Sequence, residues 1–399
     1  MFQLRQHICQ ERVALVDWRN QFLDSLSSET TQSVELDLRL EVLLTDYLVA
    51  VRAGRQLAKT NHLGANLAMN SSADDADDID WSVVTHPGSI IWSALLHQLF
   101  ASAESASRFK SGAYAAYRTS ASIAGFFGSS HRAKWHVTTT AGTFAAATAS
   151  NVLCQATPEQ SLSSLLHVAA NMGGIAVADR RTGAAIFNRG AATTLGILAS
   201  ESALVGIPHA TSVWDGDRGL VALFSLSNNP ELAIIRDGIS TAGLRLFPCN
   251  GFLQSAYMAI ADCRAKLGGE LLSMRVGLTE AMLPFLDGSV GGDYWSAQHC
   301  AAKAWNLSDI NCNLPLIAIV GGEIPLGGAE VEVKTTTGEM KVFVERAPGA
   351  DLFAENEKQW RIEKHQRLIG QVESAQAENF AQELLAGNCN LSVLKSFIS

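Results

Sequence analysis

Charged residues are scarce in this chain, and long runs of one charge are absent. Asp, Glu, Lys and Arg make up 17% of the 399 residues, and the formal net charge is -9. Without a long basic run, nucleic acid is not expected as a partner. No charge-free run is long enough to span a bilayer, and Met1 to Asp17 carry charges throughout. We therefore expect neither a membrane span nor a signal peptide.

Paired cysteines and nucleotide-binding motifs are also missing. None of the cysteines forms a Cys-x-x-Cys pair, and their odd number favours reduced thiols in a cytoplasmic protein: Cys9, Cys154, Cys249, Cys263, Cys300, Cys312 and Cys389. Cys249 follows Pro248 and is predicted to be buried and not reactive. The glycine pairs match neither a phosphate-binding loop nor a dinucleotide fingerprint. No Gly-x-Ser-x-Gly elbow suggests a serine hydrolase.

Small and apolar side chains are what the chain has in abundance. Hydrophobic residues reach 47%, and alanine and glycine are frequent. This composition predicts closely packed helices with small residues where they cross. The helical spacing of apolar residues predicts these segments: 33–53, 89–108, 110–126, 140–153, 160–178, 190–204 and 354–385.

The pattern changes in the second half of the chain. Alternating residues at 331–334 and 341–344, around a turn at 337–339, predict a β-hairpin. The fold class is therefore predicted as mainly α, with a large all-helical domain and a smaller α+β domain. The predicted boundaries are 1–241 for the helical domain, 242–351 for the α+β domain, and 352–399 for a helical tail that packs back onto the first.

An acidic run precedes a histidine between residues 74 and 86. Five carboxylates occupy seven positions: Asp74, Asp75, Asp77, Asp78 and Asp80. Like charges repel, so the run needs a cation, a basic partner or water. Calcium loops need acids at alternate positions, a turn glycine and a late glutamate. This spacing lacks those features, so we predict no metal site. We expect most of these acids to be solvated, with one or two directed into a cleft.

Two histidines stand at comparable junctions between a loop and a helix. His86 is followed by Pro87 and an apolar helical run, and His136 precedes the small-residue helix. Imidazole transfers protons near neutral pH. Helix N-termini favour anions, so two such corners facing each other could hold a carboxylate beside the imidazoles. Taken singly, each histidine is more often structural or exposed than catalytic.

Several segments, in order along the chain, together resemble the MmgE/PrpD family. Its members include 2-methylcitrate dehydratase, cis-aconitate decarboxylase and iminodisuccinate epimerase. The similar pieces are an early helix ending in Ala-Gly, an acidic run ending in His-Pro, a His-x-Thr stretch before an alanine-rich helix, a glycine turn, a Pro-Cys stretch and a late hairpin: 44–54, 70–87, 135–147, 213–220, 246–249 and 329–345.

The resemblance implies a helical domain with an α+β lid, a homodimer, and an active site without a cofactor in the cleft between the domains. It carries the family's catalytic positions to Asp78, His86 and His136. The same resemblance suggests substrate-binding roles for Arg245, Ser82, Tyr294 and His299. The implied partner is a small-molecule carboxylate.

The chain also departs from the family pattern. Ala184 stands where the family usually has a lysine, and Arg180, Arg181 or Arg189 could supply that charge from nearby. Arg245 replaces a second family lysine. An arginine can bind a carboxylate in bidentate fashion but does not shuttle protons at neutral pH. We therefore hypothesise a substrate with fewer carboxylates than methylcitrate or aconitate.

Three functions stay open from the sequence. The first is a lyase, a dehydratase or decarboxylase, that removes a proton next to a carboxylate. The second is an isomerase, epimerase or cyclase of a specialised biosynthetic pathway. The third is a catalytically inactive dimer that binds a ligand on the same scaffold. An open cleft shared by the two histidines would favour an enzyme, and a filled cleft would favour the inactive protein.

Overall fold

The computed structural model describes most of the chain after its first twenty residues: 21–23, 25–26, 33–73, 75–175, 183–224, 226, 233–288, 292–307 and 316–399. The expected absence of a signal peptide at 1–17 and the suggestions for Asp74, Arg180 and Arg181 lie outside the described residues. The described part of the chain is mainly α-helical, with a four-stranded and a two-stranded sheet, and agrees with the predicted fold class. None of the described helices is long and apolar enough to cross a membrane.

The helices follow the sequence pattern closely. In chain order they are α1 Val34–Gly54, α2 Leu63–Ser71, α3 Gly88–Ala101, α4 Phe109–Arg132, α5 Val137–Leu153, α6 Pro158–Asn171, α7 Gly183–Leu204, α8 Leu220–Leu223, α9 Gln254–Lys266, α10 Ala297–Trp305, α11 Glu355–Leu385 and α12 Leu391–Ile398. The segment predicted as one helix at 89–108 instead ends at Ala101, and a 3₁₀ turn, Ala103–Arg108, connects it to α4.

Helix α5 lies at the centre of the helical part and is buried along almost its whole length. It packs against α3, α4, α6 and α7. Alanine and threonine side chains let these helices approach closely, and the threonine hydroxyls form hydrogen bonds within the helix or with neighbouring elements. Thr143 Oγ1 donates to the carbonyl of Thr139 at 2.8 Å, for example. The prediction of a buried helix built from small residues is confirmed.

Helix α4 is kinked shortly before its end. Gly128 has a φ of 69°, in the left-handed region where a side chain would cause strain. The kink changes the direction of the last helical turn, Ser129 to Arg132, before the chain reaches His136. Two residues of that turn, Ser129 and Arg132, line the cavity described below.

The sheet belongs to the second half of the chain. Its strand order is β4 Ile317–Gly322, β3 Leu271–Thr279, β5 Ala329–Thr335 and β6 Glu339–Val344. Strands β5 and β6 pair antiparallel, which confirms the predicted hairpin. Strands β3 and β4 run parallel, and α9 and α10 pack against the sheet. A separate two-residue pair joins β1, Ile79–Asp80, to β2, Ala242–Gly243.

The long helix α11, in the C-terminal segment, packs along α1 near the start of the described residues. Lys364 Nζ donates to both carboxylate oxygens of Asp46, at 2.7 and 2.8 Å, and also to the carbonyl of Ala76. His365 Nε2 lies 2.9 Å from the same carboxylate. These buried groups connect the tail to α1 and to the acidic loop. The domain boundaries themselves stay a prediction.

Candidate active site

A cavity of about 530 Å³ lies where the helical part meets the α+β part. The helical part contributes His86, His136 and the arginines 132 and 189. The α+β part contributes apolar side chains, including Phe252 and Trp295. The cavity is open and carries both histidines that the sequence singled out, so the cleft is not filled.

His86 is positioned by the acidic loop and by the start of α5. Its Nδ1 lies 2.7 Å from the carbonyl oxygen of Asp78, and its backbone amide donates to Thr138 Oγ1 at 3.1 Å. A carbonyl only accepts, so Nδ1 carries the proton and Nε2 is the nitrogen that can receive one. Burial, and then the charge of Arg245, lower the pKa of His86 from 6.5 to about 4. The ring is therefore neutral at pH 7.

His136 caps the N-terminus of α5. Its backbone amide donates to the carbonyl of Gly174 at 2.8 Å, and its Nδ1 forms a short contact with Thr139 Oγ1. The hydrogen bond from His86 to Thr138 joins the two corners, because Thr138 lies in the first turn of the helix that His136 caps. Both imidazoles therefore face one cavity from elements that are fixed to each other.

The catalytic role that the resemblance suggests for Asp78 stays a prediction, and the structure shows what binds its carboxylate. Its carboxylate accepts from the amide of Gly88 at 2.9 Å and from the hydroxyl of Tyr117 at 2.8 Å, and it is not part of the cavity lining. Burial, and then repulsion by Asp77, raise the pKa of Asp78 from 3.8 to about 7. Asp78 holds His86 through its backbone carbonyl, not through its carboxylate.

The acidic run is not mostly solvated, and this expectation was wrong. Asp77, Asp78 and Asp80 are all buried. Asp77 contacts the guanidinium of Arg245 and lies 3.2 Å from Arg189, while Asp75 lies 2.7 Å from Arg245. Arginines that are distant in the sequence, together with hydroxyl and amide groups closer in the sequence, replace the water that these acids would otherwise need.

The arginine pairs hold Asp77 ionised despite its burial. Burial alone would raise its pKa, but attraction by Arg189, Arg245 and then His86 lowers it to about 2. Because Arg245 is fully engaged by Asp75 and Asp77 and is 2% exposed, it lies behind the cavity lining. The substrate-binding role suggested for Arg245 stays a prediction, and its observed contacts order the acidic loop.

The other suggested substrate-binding residues also lie outside the lining of the cavity. Ser82 Oγ donates to Asp80 at 2.7 Å in the turn before His86. His299 Nδ1 lies 3.7 Å from a carboxylate oxygen of Asp293. Burial, and then the charge of Asp75, raise the pKa of Tyr294 far above its usual value. Tyr294 is therefore a neutral phenol in the electrostatic field of the Asp75 and Arg245 pair.

Two arginines at the cavity were only partly foreseen from the sequence. Arg189 lies on α7, little more than one turn after Ala184, and lines the cavity beside Ala185. It was one of three candidates to replace the missing lysine charge. Arg132 was not anticipated. The only signal for Arg132 is its place four residues before His136. That spacing does not by itself indicate that its side chain faces the cavity.

Metal ligation has no visible basis in the described part of the chain. There, no group of three or more histidine, cysteine, aspartate or glutamate side chains is arranged to hold a metal ion. In the acidic loop, the described carboxylates accept from arginine, tyrosine, serine and backbone donors. The donors around these oxygens are those of a protein hydrogen-bond network.

The fold and the site define a mainly helical protein that has two imidazoles and two guanidinium groups at one open cavity. Residues 54–233 match the family model of the MmgE/PrpD N-terminal domain. This match supports membership of the MmgE/PrpD family, whose members are generally lyases of the dehydratase type. The matched region contains His86, His136, Arg132 and Arg189. No curated protein matches the chain significantly.

Proposed function

We propose that this chain is a cofactor-independent lyase, a dehydratase or decarboxylase, that acts next to a carboxylate of an organic acid. The observation that supports it most is that His86 and His136 line one cavity. The match to the MmgE/PrpD N-terminal domain, a family generally of lyases, agrees with it. The reaction needs a base within reach of the carbon acid and positive charge near the developing enolate. Imidazole and guanidinium groups at one cavity supply both.

His86 is the proposed base. Its Nε2 is the unprotonated nitrogen, because the carbonyl of Asp78 accepts from Nδ1. A pKa of about 4 makes the ring neutral but weakly basic. A bound carboxylate would place a negative charge nearby and raise that pKa toward neutrality, where general-base catalysis is most efficient. Substrate binding thus prepares the base.

His136 is the proposed second proton-transfer group. In dehydration, the carbon acid gives its proton to His86, the electron pair forms the carbon–carbon double bond, and the hydroxyl leaves as water with a proton from His136. In decarboxylation, carbon dioxide leaves, its bonding electrons form the enolate, and an imidazolium then protonates that carbon. In both cases Arg132 and Arg189 stabilise the negative charge.

Turnover by histidine variants tests this assignment. Wild type, His86→Asn and His136→Asn are incubated with a panel of hydroxylated and unsaturated carboxylic acids, and products are followed by NMR. We expect each variant to lose at least about a hundredfold in kcat/KM, the usual contribution of a positioned acid or base. His62→Asn, at an exposed position outside the cavity, is the matched control. Full activity in both cavity variants would exclude the assignment.

An isomerase or epimerase is the second candidate. Two imidazoles on one cavity also suit a reaction in which one removes a proton and the other returns it on the opposite face. The same NMR experiment separates the two functions, because an isomerase changes the substrate without release of water or carbon dioxide. A protein that binds acids but neither cleaves nor isomerises them would be the inactive binding protein.

The family resemblance also supports a homodimer in the cytoplasm. Light scattering on the purified full-length chain should give about twice the monomer mass of 42.7 kDa. A monomer at working concentrations would exclude the dimer without affecting the proton-transfer assignment.

A further inference from the structure

The walls of the cavity are largely apolar, which is unusual surroundings for a small polycarboxylate. Trp135 and Val137 line it from the helical part, and Phe252, Phe285, Trp295 and Leu326 line it from the α+β part. These aromatic and aliphatic groups favour a ligand that buries apolar surface, at roughly 25 cal/mol for each Å² removed from water. A volume of about 530 Å³ also suits a body larger than a short-chain acid.

The charges at the cavity almost cancel. Asp75, Arg132 and Arg189 line it, and Asp77 and Arg245 stand directly behind as partners of Asp75 and Arg189. Two carboxylates against three guanidinium groups leave one positive charge. The histidine whose pKa is about 4 adds none at pH 7. Even with the charge that His136 carries as the proposed proton donor, the site has less positive charge than a tricarboxylate needs, and of the three guanidinium groups only one lacks a carboxylate partner among the described residues.

Arg132 carries the uncompensated charge. It sits in the last turn of α4, after the kink at Gly128, and its Nε is buried without a hydrogen-bond partner. No carboxylate in the described part of the chain forms an ion pair with it, although Asp75 lines the same cavity. A half-buried guanidinium with unmet donors is costly unless an acceptor reaches it.

Arg189 provides a second donor that points to a ligand. Its side chain is 4% exposed, it lines the cavity, and its Nε has no hydrogen-bond partner. Its ion pair with Asp77 fixes the terminal end of the guanidinium at 3.2 Å. That pair holds Arg189 in place while the Nε donor stays unmet.

We infer that Arg132 and Arg189 bind the carboxylate of a monocarboxylic acid whose aromatic or branched aliphatic body packs on the apolar wall. The substrate is thus an amphiphilic acid and not a polycarboxylate of the methylcitrate type. This inference rests on the proposed function for the reaction, but concerns only which ligands bind. It follows from the unmet donors, the single guanidinium without a carboxylate partner, and the apolar lining.

Equilibrium binding tests the inference without turnover. The probes are 3-phenylpropionate, its uncharged alcohol 3-phenylpropanol, and citrate, titrated calorimetrically into the full-length protein at pH 7. We expect 3-phenylpropionate to bind at least about tenfold more tightly than either other probe. Ligand binding should also quench tryptophan fluorescence, because Trp135 and Trp295 line the cavity.

Arg132→Gln is the decisive variant, since the native residue has no described partner whose loss would disturb folding. It should weaken 3-phenylpropionate at least about tenfold and leave 3-phenylpropanol unchanged, as expected for loss of a charged hydrogen bond. Lys134→Gln is the matched control, because it removes the same charge two residues away at an exposed position outside the lining. It should change affinity less than about threefold by long-range electrostatics alone.

Three results would overturn the inference: tighter binding of citrate than of 3-phenylpropionate, equal loss in Arg132→Gln and Lys134→Gln, or no binding of 3-phenylpropionate by wild type. Failure of the proposed function looks different. In that case the arginine dependence of binding stands, while His86→Asn and His136→Asn leave the chemistry of a bound acid unchanged.

Discussion

At the scale of single residues, burial sets the protonation states of the site more strongly than neighbouring charges do. His86 is neutral and Asp78 titrates near neutrality because desolvation disfavours the charged form of each. Asp77 is the exception, since two guanidinium groups outweigh its burial. Charge at pH 7 is thus concentrated in the arginine and aspartate pairs beside a neutral imidazole.

The depressed pKa of His86 predicts a measurable pH dependence of stability. Below about pH 6.5 the unfolded chain binds a proton at this histidine, whereas the folded chain does not until about pH 4. The contribution of His86 to the stability of the folded state therefore decreases as pH falls through this window, by about 2 kcal/mol between pH 7 and 5. In His86→Asn, whose amide can still donate to the Asp78 carbonyl, this component should vanish.

Urea unfolding of both proteins at pH 7 and 5 measures the difference. The wild-type advantage over His86→Asn should shrink by about 2 kcal/mol on going to pH 5. His62→Asn serves as the control, because that position is exposed. Parallel stability curves for wild type and His86→Asn would mean that the ring is not desolvated in the folded protein.

Sequence reasoning found the two histidines because each stands just before a helix start, and helix starts leave a local signal in the sequence. It did not find the burial of the acidic run. The partners that make burial possible, Arg189 and Arg245, lie more than a hundred residues away, and no local pattern reports their approach. Arg132 was missed for the same reason, since its direction depends on the kink at Gly128.

At the scale of elements, close contact between α5 and α7 supports the wall of the cavity. A Cβ added to Gly196 would lie 2.5 Å from the Ala146 Cβ and 2.6 Å from the carbonyl oxygen of Thr143. Neither group can move without a shift of the helix backbone. The glycine is therefore required by packing. The same helix carries Arg189, which lines the cavity.

Gly196→Ala should destabilise the fold by about 1–3 kcal/mol, although alanine is the better helix former, because overpacking outweighs propensity. Gly183→Ala in the same helix is the control, since nothing lies within 4 Å of an added Cβ there. Thermal unfolding should show a lower Tm for Gly196→Ala and no decrease for Gly183→Ala. Equal behaviour of the two variants would contradict the close crossing.

The helices and the hairpin could be predicted because apolar residues recur every 3.6 residues in a helix and every 2 residues in a strand. The pairing of β1 with β2 could not, because two-residue strands carry no period and their pairing follows from tertiary contacts. A break before α4 was predicted, but the early end of α3 at Ala101 was not. The apolar run ends there, but the chain continues in a 3₁₀ turn that leaves little trace in composition.

At the scale of the whole molecule, one buried ionic cluster holds α1 and α11 together. Asp46 on α1 accepts from Lys364 and His365 on α11, and Lys364 also donates to the acidic loop at Ala76. The tail thereby supports the loop that carries Asp75, Asp77 and His86. The role of the C-terminal segment is thus structural support of the cavity from behind.

Lys364→Met should destabilise the protein by about 3–5 kcal/mol, because it leaves the carboxylate of Asp46 buried with only His365. The double variant with Asp46→Asn should recover part of that loss, since no unpaired charge then remains. Chemical denaturation of the three proteins gives both values. A loss below about 1 kcal/mol for the single variant would show that the cluster does not hold the tail.

The central proposal is that His86 and His136 transfer protons at a carbon next to a bound carboxylate. Deuterium incorporation from D₂O, followed by NMR for every acid that binds wild type, tests this even where the product is unidentified. We expect deuterium at that carbon, in substrate or product, for at least one acid with wild type. We also expect a loss of about a hundredfold or more in His86→Asn and His136→Asn while binding persists. Incorporation at the wild-type rate in both variants, or none with any acid that binds, would contradict it.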